Sequence, residues 1–215
     1  MPLRTNLITN GDFETGTFAG WTTVSAGGFG NAFYLSGNGS SGPISGNPSQ
    51  TNPTGGNFNA TSDQNGPGGE ALLQTFTTVG GTQTLSFDWF DNDHFGQSGG
   101  NINGSTQTGR VDIITATADA FDTGAGVVQN LILNQGTVSG VGTSTPWRSS
   151  TFTLSLAAGS YQLRFGNGQC CFYHEFGVDN VVLTGVPEPK TWALMLAGFG
   201  LAGVALRRWR GTVAA

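Results

Sequence analysis

The sequence predicts an all-β sandwich followed by a short apolar helix at the C-terminus. Hydrophobic residues make up 37% of the 215-residue chain, with 15 Phe and 5 Trp, so a core can form despite 36 Gly. Short runs of alternating or β-branched residues recur between glycine turns, and no run before the tail has a helical period. This length suits one ordinary domain with an appendage.

The predicted strands lie between clusters of glycine, asparagine and serine, which favour turns. In chain order they are Asn6–Thr9, Gly20–Ser25, Ala32–Ser36, Ala71–Val79, Gln83–Phe90, Arg110–Ala118, Val127–Asn134, Trp147–Leu156, Ser160–Gly166 and Phe176–Thr184. Two stretches interrupt this rhythm, Gly37–Gly69 and Gly96–Gly109, and we expect both to be long loops that are either functional or disordered.

Three of these strands place large apolar side chains on one face, which predicts the core. The nine predicted core residues are Leu85, Phe87, Trp89, Phe152, Leu154, Leu156, Tyr161, Leu163 and Phe165. Burial of each such side chain contributes about 1.5–3 kcal/mol.

Positive charge is scarce before the tail. Residues 1–185 contain four basic side chains and twelve acidic ones, whereas Lys190, Arg207, Arg208 and Arg210 follow within the last 26 residues. Nucleic-acid binders neutralise phosphates with clusters of Lys and Arg. We therefore expect no nucleic-acid partner.

The two cysteines, Cys170 and Cys171, are neighbours in the chain. Adjacent Cα atoms lie about 3.8 Å apart, which is shorter than the usual separation across a disulfide. A strained vicinal bridge, two free thiols and a bond to another chain all remain open.

The tail contains 15 uncharged residues from Trp192 to Leu206. As a helix this stretch spans about 22 Å, less than the roughly 30 Å hydrocarbon core of a bilayer. Its flanking Trp and Arg residues suit the two membrane interfaces, which favours a thinly spanning segment over a buried core helix. We expect the arginines to stay cytoplasmic and residues 1–190 to lie outside.

The order Val-Pro-Glu-Pro (186–189), apolar helix and Arg-Arg-Trp-Arg resembles the PEP-CTERM sorting signal of Gram-negative bacteria. The resemblance covers residues 186–211 and is carried by Pro187, Glu188, Pro189, Arg207, Arg208 and Arg210. It implies handling by an exosortase, a membrane protease-transpeptidase, after a transient inner-membrane stage. The product would reach the outer surface or the extracellular polysaccharide matrix.

Export also requires an N-terminal signal with an apolar segment. The opening "MPLRTNLITNG" has no such segment. We expect the signal to lie upstream of this sequence.

The two ends of residues 1–185 carry a second resemblance. The stretches "NLITNGDFETGTFAGWT" (6–22) and "FGVDNVVLTG" (176–185) are similar to the first and last strands of galactose-binding-like jelly rolls. This is the fold of many carbohydrate-binding modules, so the resemblance implies a jelly-roll β-sandwich. The even spread of predicted strands agrees with it, and Trp21 can fill the core where the chain enters the sandwich. The resemblance covers both ends and not the middle.

Asp12, Glu14 and Asp179 converge if the first and last strands are neighbours. Ca²⁺ takes several carboxylate and carbonyl oxygens as ligands, and the resemblance implies a structural Ca²⁺ held by residues equivalent to Glu14 and Asp179. The alternative is that Asp12 forms an Asx-turn and Asp179 faces water.

Two aromatic stretches are candidate ligand sites. "FDWFDNDHFG" (87–96) and "QCCFYHEFG" (169–177) combine rings that suit the apolar face of a sugar with polar side chains that suit its hydroxyls. The predicted ligand-binding residues are Trp89, Asp91, Asp93, Phe95, Phe172 and Tyr173. The alternatives are ordinary turns for the acidic residues and core positions for the rings.

Features of an enzyme are sparse in the sequence. It has two histidines and neither of the motifs G-x-S-x-G and H-E-x-x-H. We therefore expect an exported, non-enzymatic protein that associates with extracellular polysaccharide. The alternative hypothesis is a structural or self-assembling surface protein without sugar binding. A third hypothesis is an enzyme that acts on matrix glycan.

Overall fold

Ten β-strands form two five-stranded antiparallel sheets. The computed structural model describes residues 5–27, 32–37, 40–44, 46, 56–63, 68–93, 108–134, 146–169, 174–185 and 196–202. The predicted all-β class is confirmed.

Each sheet is built from strands that are distant in sequence, as in a jelly roll. Sheet I has the order β1 (Thr22–Ala26), β4 (Gly68–Thr78), β9 (Gly159–Gln169), β6 (Thr108–Thr115) and β7 (Val127–Asn134). Sheet II has the order β2 (Ala32–Gly37), β3 (Phe58–Asp63), β10 (His174–Gly185), β5 (Gly81–Asp93) and β8 (Arg148–Leu156).

The core lies between the two sheets and contains the nine residues that the sequence predicted. Seven of them are buried, and Phe152 and Tyr161 are partly buried against the same cluster. The rings of Phe87 and Phe165 meet edge to face at 5.2 Å, so strand β5 of one sheet packs on strand β9 of the other. The period-2 alternation of side chains explains why these positions could be recognised.

The predicted first strand is absent from both sheets. Asn6 forms a single bridge to Thr184, and Leu7 N donates to Leu183 O at 2.8 Å. The backbone then turns away because Thr9 N and O are both bound by the Gln74 side chain. The two ends of residues 1–185 are nevertheless neighbours, which is the condition under which Asp12, Glu14 and Asp179 were expected to converge.

The prediction of one long loop over Gly37–Gly69 is wrong, because strand β3 lies within that stretch. Its sequence, FNATSD, is mostly polar, yet Asn59, Thr61, Ser62 and Asp63 are buried. The strand lies between β2 and β10, and hydrogen bonds such as Phe176 N to Ser62 Oγ satisfy its side chains. A buried polar strand has no hydrophobic alternation, which is why the pattern missed it.

The tail is helical at 196–202, and its apolar side chains Leu196, Phe199 and Leu201 are each more than 70% exposed. Within the described ranges, no helix has both the length and the apolar character needed to cross a membrane.

Candidate functional site

The predicted metal residues lie where an N-terminal turn, which contains Asp12 and Glu14, meets the bulge of β10 after Asp179. Gly11 O accepts a hydrogen bond from Val181 N at 2.8 Å. A Cβ on Gly11 would lie 2.0 Å from Val181 O, so this approach requires glycine.

Asp179 is buried here among other acids. Its side chain is 2% exposed, and Asn180 N donates to its Oδ1 at 2.7 Å. Burial raises the pKa of Asp179 to about 7; the Asn180 hydrogen bond opposes this shift, and the charges of Asp88, Glu14 and Asp12 add to it. The structure thus brings Asp12, Glu14 and Asp88 within electrostatic range of Asp179.

Glu14 already has hydrogen-bond partners. Its Oε1 accepts from Asn57 N at 2.7 Å and Phe58 N at 2.9 Å, and its Oε2 accepts from Asn57 Nδ2 at 3.0 Å. The hydrogen bond from Phe58, followed by those from Asn57, lowers the pKa of Glu14. In the described part of the chain, no three His, Cys, Asp or Glu side chains form a group that could hold a metal ion. The negative charge around Asp179 suits a cation. Both carboxylate oxygens of Glu14, however, already accept hydrogen bonds from Asn57 and Phe58. Calcium at these residues stays a prediction.

Two predicted ligand-binding residues are in the interior. Trp89 is 7% exposed, donates from Nε1 to Ser150 Oγ at 2.9 Å, and has the Arg148 guanidinium 5.0 Å from its ring centre. Asp91 is fully buried. Trp89 was predicted both as a core residue and as a ligand contact, and the structure assigns it to the core.

Asp91 belongs to a buried polar network at one end of the sandwich. Its Oδ1 binds His174 Nε2, and His174 Nδ1 binds Asn167 Oδ1. Asn167 Nδ2 donates in turn to Ser62 Oγ at 3.1 Å. Each ring nitrogen of His174 thus faces an oxygen atom, one of Asn167 and one of Asp91. The network joins β3, β5, β9 and β10, so it ties the two sheets together.

Asp93 lies in β5, where its backbone pairs with His174. The other predicted residues lie outside the described ranges: Phe95, Phe172, Tyr173, Cys170, Cys171, Pro187, Glu188, Pro189, Arg207, Arg208 and Arg210.

A groove that the sequence did not predict lies on the face of sheet I that points away from the core. Its volume is about 710 Å³, within the range of small-molecule sites. It is lined by Ala26, Gly68, Gly69, Glu70, Arg110, Ala120, Phe121, Thr123, Asn130, Arg164, Gly166, Asn167 and Gly168. Glycines on β4 and β9 form much of the floor.

Residues 116–126, between β6 and β7, form one wall of the groove. A small apolar cluster holds this loop to the sheet, with Ala118, Ala120 and Phe121 packed against Ala71, Leu73 and Ile114. Gly126 N donates to Asp122 Oδ2 at 2.8 Å, and a Cβ on Gly126 would lie 2.4 Å from that oxygen. The Phe121 ring is thereby fixed beside the glycine floor.

Two arginines that line this groove converge on one buried carboxylate beneath it, that of Asp112. Arg164, which is 1% exposed, binds Asp112 through Nε to Oδ1 at 2.7 Å and Nη2 to Oδ2 at 2.6 Å. Arg110, 18% exposed, donates to the same Asp112 Oδ2 at 2.6 Å and to Asn130 Oδ1 at 3.3 Å. Hydrogen bonds from Gly124 and Gly126 lower the pKa of Asp122, and the two arginines lower it further. The groove therefore presents fixed polar groups beside a glycine floor and the Phe121 wall.

Sequence reasoning missed Arg110 and Arg164 because neither lies in a motif that indicates a binding site. The available signal was their rarity, since these are two of the four basic residues in residues 1–185. Their common partner, Asp112, is 52 positions from Arg164 in the chain.

Solved structures show which class of fold this is. The sandwich is similar to the K3 cleaved adhesin domain of Lys-gingipain from Porphyromonas gingivalis, with 20% identity and a TM-score of 0.50, over 77% of this chain and 90% of that one. It is also similar to the enzymatically active domain of tailspike protein 4 from bacteriophage CBA120, with 12% identity and a TM-score of 0.50, over 83% of this chain. This match spans 21% of the tailspike chain.

A carbohydrate-binding module, TmCBM61 solved with β-1,4-galactotriose, has a TM-score of 0.48 and 13% identity, over 83% of this chain and 97% of that one. At these identities the similarity concerns the fold, a jelly-roll β-sandwich. Residues 185–210 match the PEP-CTERM protein-sorting motif. The chain therefore carries the sorting motif of an exported protein. No curated protein matches its sequence.

Proposed function

We propose that this chain is an exported, non-enzymatic β-sandwich that binds surface or matrix polysaccharide in the groove on sheet I. The observation that carries the proposal is the groove itself, with its glycine floor, the Phe121 wall and the fixed polar groups of Arg110 and Asn130. Sugars present apolar C–H faces and rings of hydroxyls, which match such a combination.

The polar groups of the groove suit recognition better than acid–base catalysis. Asp112 accepts hydrogen bonds from both Arg110 and Arg164, so its carboxylate acts as an anchor for the two guanidinium groups. A glycosidase needs two carboxylates on either side of the bond that is cleaved. Phe95, Phe172 and Tyr173 are further proposed aromatic contacts.

The sorting motif supports delivery of the sandwich to the cell surface. We infer that an exosortase processes the chain near Pro187-Glu188-Pro189 while the apolar helix is held in the inner membrane. Arg207, Arg208 and Arg210 would keep the far end cytoplasmic. The mature sandwich would then reside in the envelope or matrix of a Gram-negative bacterium.

A glycan array with the full chain, followed by calorimetric titration of any hit, tests the binding. Gly168 lines the groove, and a Cβ there has nothing within 4 Å, so Gly168→Leu adds an apolar side chain at an open position of the groove. Gly185 is equally open but lies outside the groove, which makes Gly185→Leu the matched control. We expect Gly168→Leu to weaken binding at least about tenfold and Gly185→Leu to leave it unchanged.

Equal glycan binding by the two variants would show that the groove is not the binding site. The double variant Phe172→Ala with Tyr173→Ala would then test whether those aromatic side chains contact the glycan. If no glycan binds saturably while the chain assembles with rising concentration, the alternative of a structural surface protein is favoured.

A further inference from the structure

Among the described strands, β8 is the edge strand of sheet II next to β5. It pairs with β5 over nine consecutive residues, from Leu156 opposite Gly81 to Arg148 opposite Trp89, without a register shift. Among the described residues, no strand or loop backbone pairs with its other side. Unpaired N–H and C=O groups along such an edge are a template for another strand.

The other three edges are less suited to pairing. β1 has five residues and β2 has six. β7 pairs with β6 through two register shifts, after Val111 and after Ile113, and bulges of this kind twist an edge away from a neighbour. β8 has one charged residue, Arg148, at its start and no proline.

The side chains of β8 form two distinct rows. Ser149, Thr151, Thr153 and Ser155 are exposed on the outer face. On the inner face Leu154 and Leu156 are buried, whereas Phe152 is only partly buried against the core. A neighbouring strand would therefore cover an apolar ring as well as the free backbone groups.

We propose that β8 pairs antiparallel with β8 of a second copy of this chain, about a twofold axis at Phe152. In this register Thr151 lies opposite Thr153 of the partner subunit, and Ser149 lies opposite Ser155 of the partner subunit. The single charge, on Arg148, lies opposite Leu156 of the partner subunit, so no like charges meet. Cross-strand hydroxyl pairs stabilise a sheet, and a twofold axis requires this kind of self-complementary surface.

The test is sedimentation equilibrium of the full chain over a range of concentrations. In the double variant Thr151→Lys with Thr153→Lys, the lysine at position 151 of each copy lies directly opposite the lysine at position 153 of the other copy. Two pairs of like charges therefore face each other across the twofold axis. We expect this variant to weaken association at least about tenfold, because like charges directly opposite destabilise strand pairing. Thr151→Lys with Thr153→Glu places opposite charges at the same positions and should restore association.

A matched control places two lysines on a central strand. Thr75 and Thr77 are exposed on β4 of sheet I, where β9 pairs with both and the pairing with β1 ends at Leu73. Because this position lies in the other sheet from β8, Thr75→Lys with Thr77→Lys should leave association unchanged. Association through the apolar tail would be equally insensitive to both double-lysine variants. That result, or a monomer at every concentration, would overturn the proposal.

Discussion

Arg164 and Asp112 form a buried ion pair on the outer face of sheet I, with two hydrogen bonds of 2.7 and 2.6 Å. Arg164 Nη1 also donates to Ala120 O at 2.9 Å. One guanidinium therefore fixes both the floor of the groove and the loop that forms its wall. The carboxylate that holds it is shared with Arg110, so the geometry of the groove depends on Asp112.

Removal of that carboxylate should destabilise the fold. Asp112→Asn leaves Arg164 buried without its counter-charge, a change that typically costs about 3–5 kcal/mol. Urea unfolding followed by tryptophan fluorescence measures the loss. Arg110→Gln is the control, because Arg110 is partly exposed and its removal leaves Asp112 paired with Arg164. Equal losses for the two variants would show that the buried pair is not the stabilising element.

The buried acid Asp179 should make stability depend on pH. Its pKa is raised from 3.8 to about 7 in the folded protein, so the folded state binds this proton more tightly than the unfolded chain. Its contribution to stability therefore falls as pH rises through that window. Asp179→Asn removes the titrating group, so we expect the variant to gain stability relative to the native chain between pH 4 and 7 in a chelating buffer. A stability difference that does not change with pH would contradict this assignment.

Calcium at Asp12, Glu14 and Asp179 is a separate prediction. A cation that binds only the folded state at 100 times its dissociation constant adds about 2.7 kcal/mol. Chelation should then lower the melting temperature of the native chain, and Asp179→Asn should abolish that sensitivity. Asp119→Asn, in the loop beside the groove, serves as the control and should keep it. An identical melting temperature in calcium and in chelator would show that these three residues do not bind calcium.

The tail should determine where the protein resides. If the apolar helix and its arginines halt translocation, as we propose, deletion of Trp192–Ala215 should release or misplace the sandwich. Mass spectrometry of surface material from cells that express the full chain should show a C-terminus near Pro187–Lys190. An intact Arg-Arg-Trp-Arg end on mature surface protein would contradict processing at this motif.

The strands with alternating apolar residues could be predicted because side-chain alternation is a local property of extended backbone. Val127–Asn134 is predicted with both ends correct, and β8 is predicted to within one residue at its start. The sorting tail could be recognised for a similar reason, since its three parts follow one another within 26 residues.

Pairing and burial between distant segments were decided by tertiary structure. Polar β3 is buried because β2 and β10 flank it, and nothing within FNATSD indicates those neighbours. Trp89 could have faced either a ligand or the core, and packing against Phe176 on the neighbouring strand settled which. The groove depends on Arg164 meeting Asp112 across two strands, because an ion pair is defined by distance in space, whereas a sequence pattern records only distance along the chain.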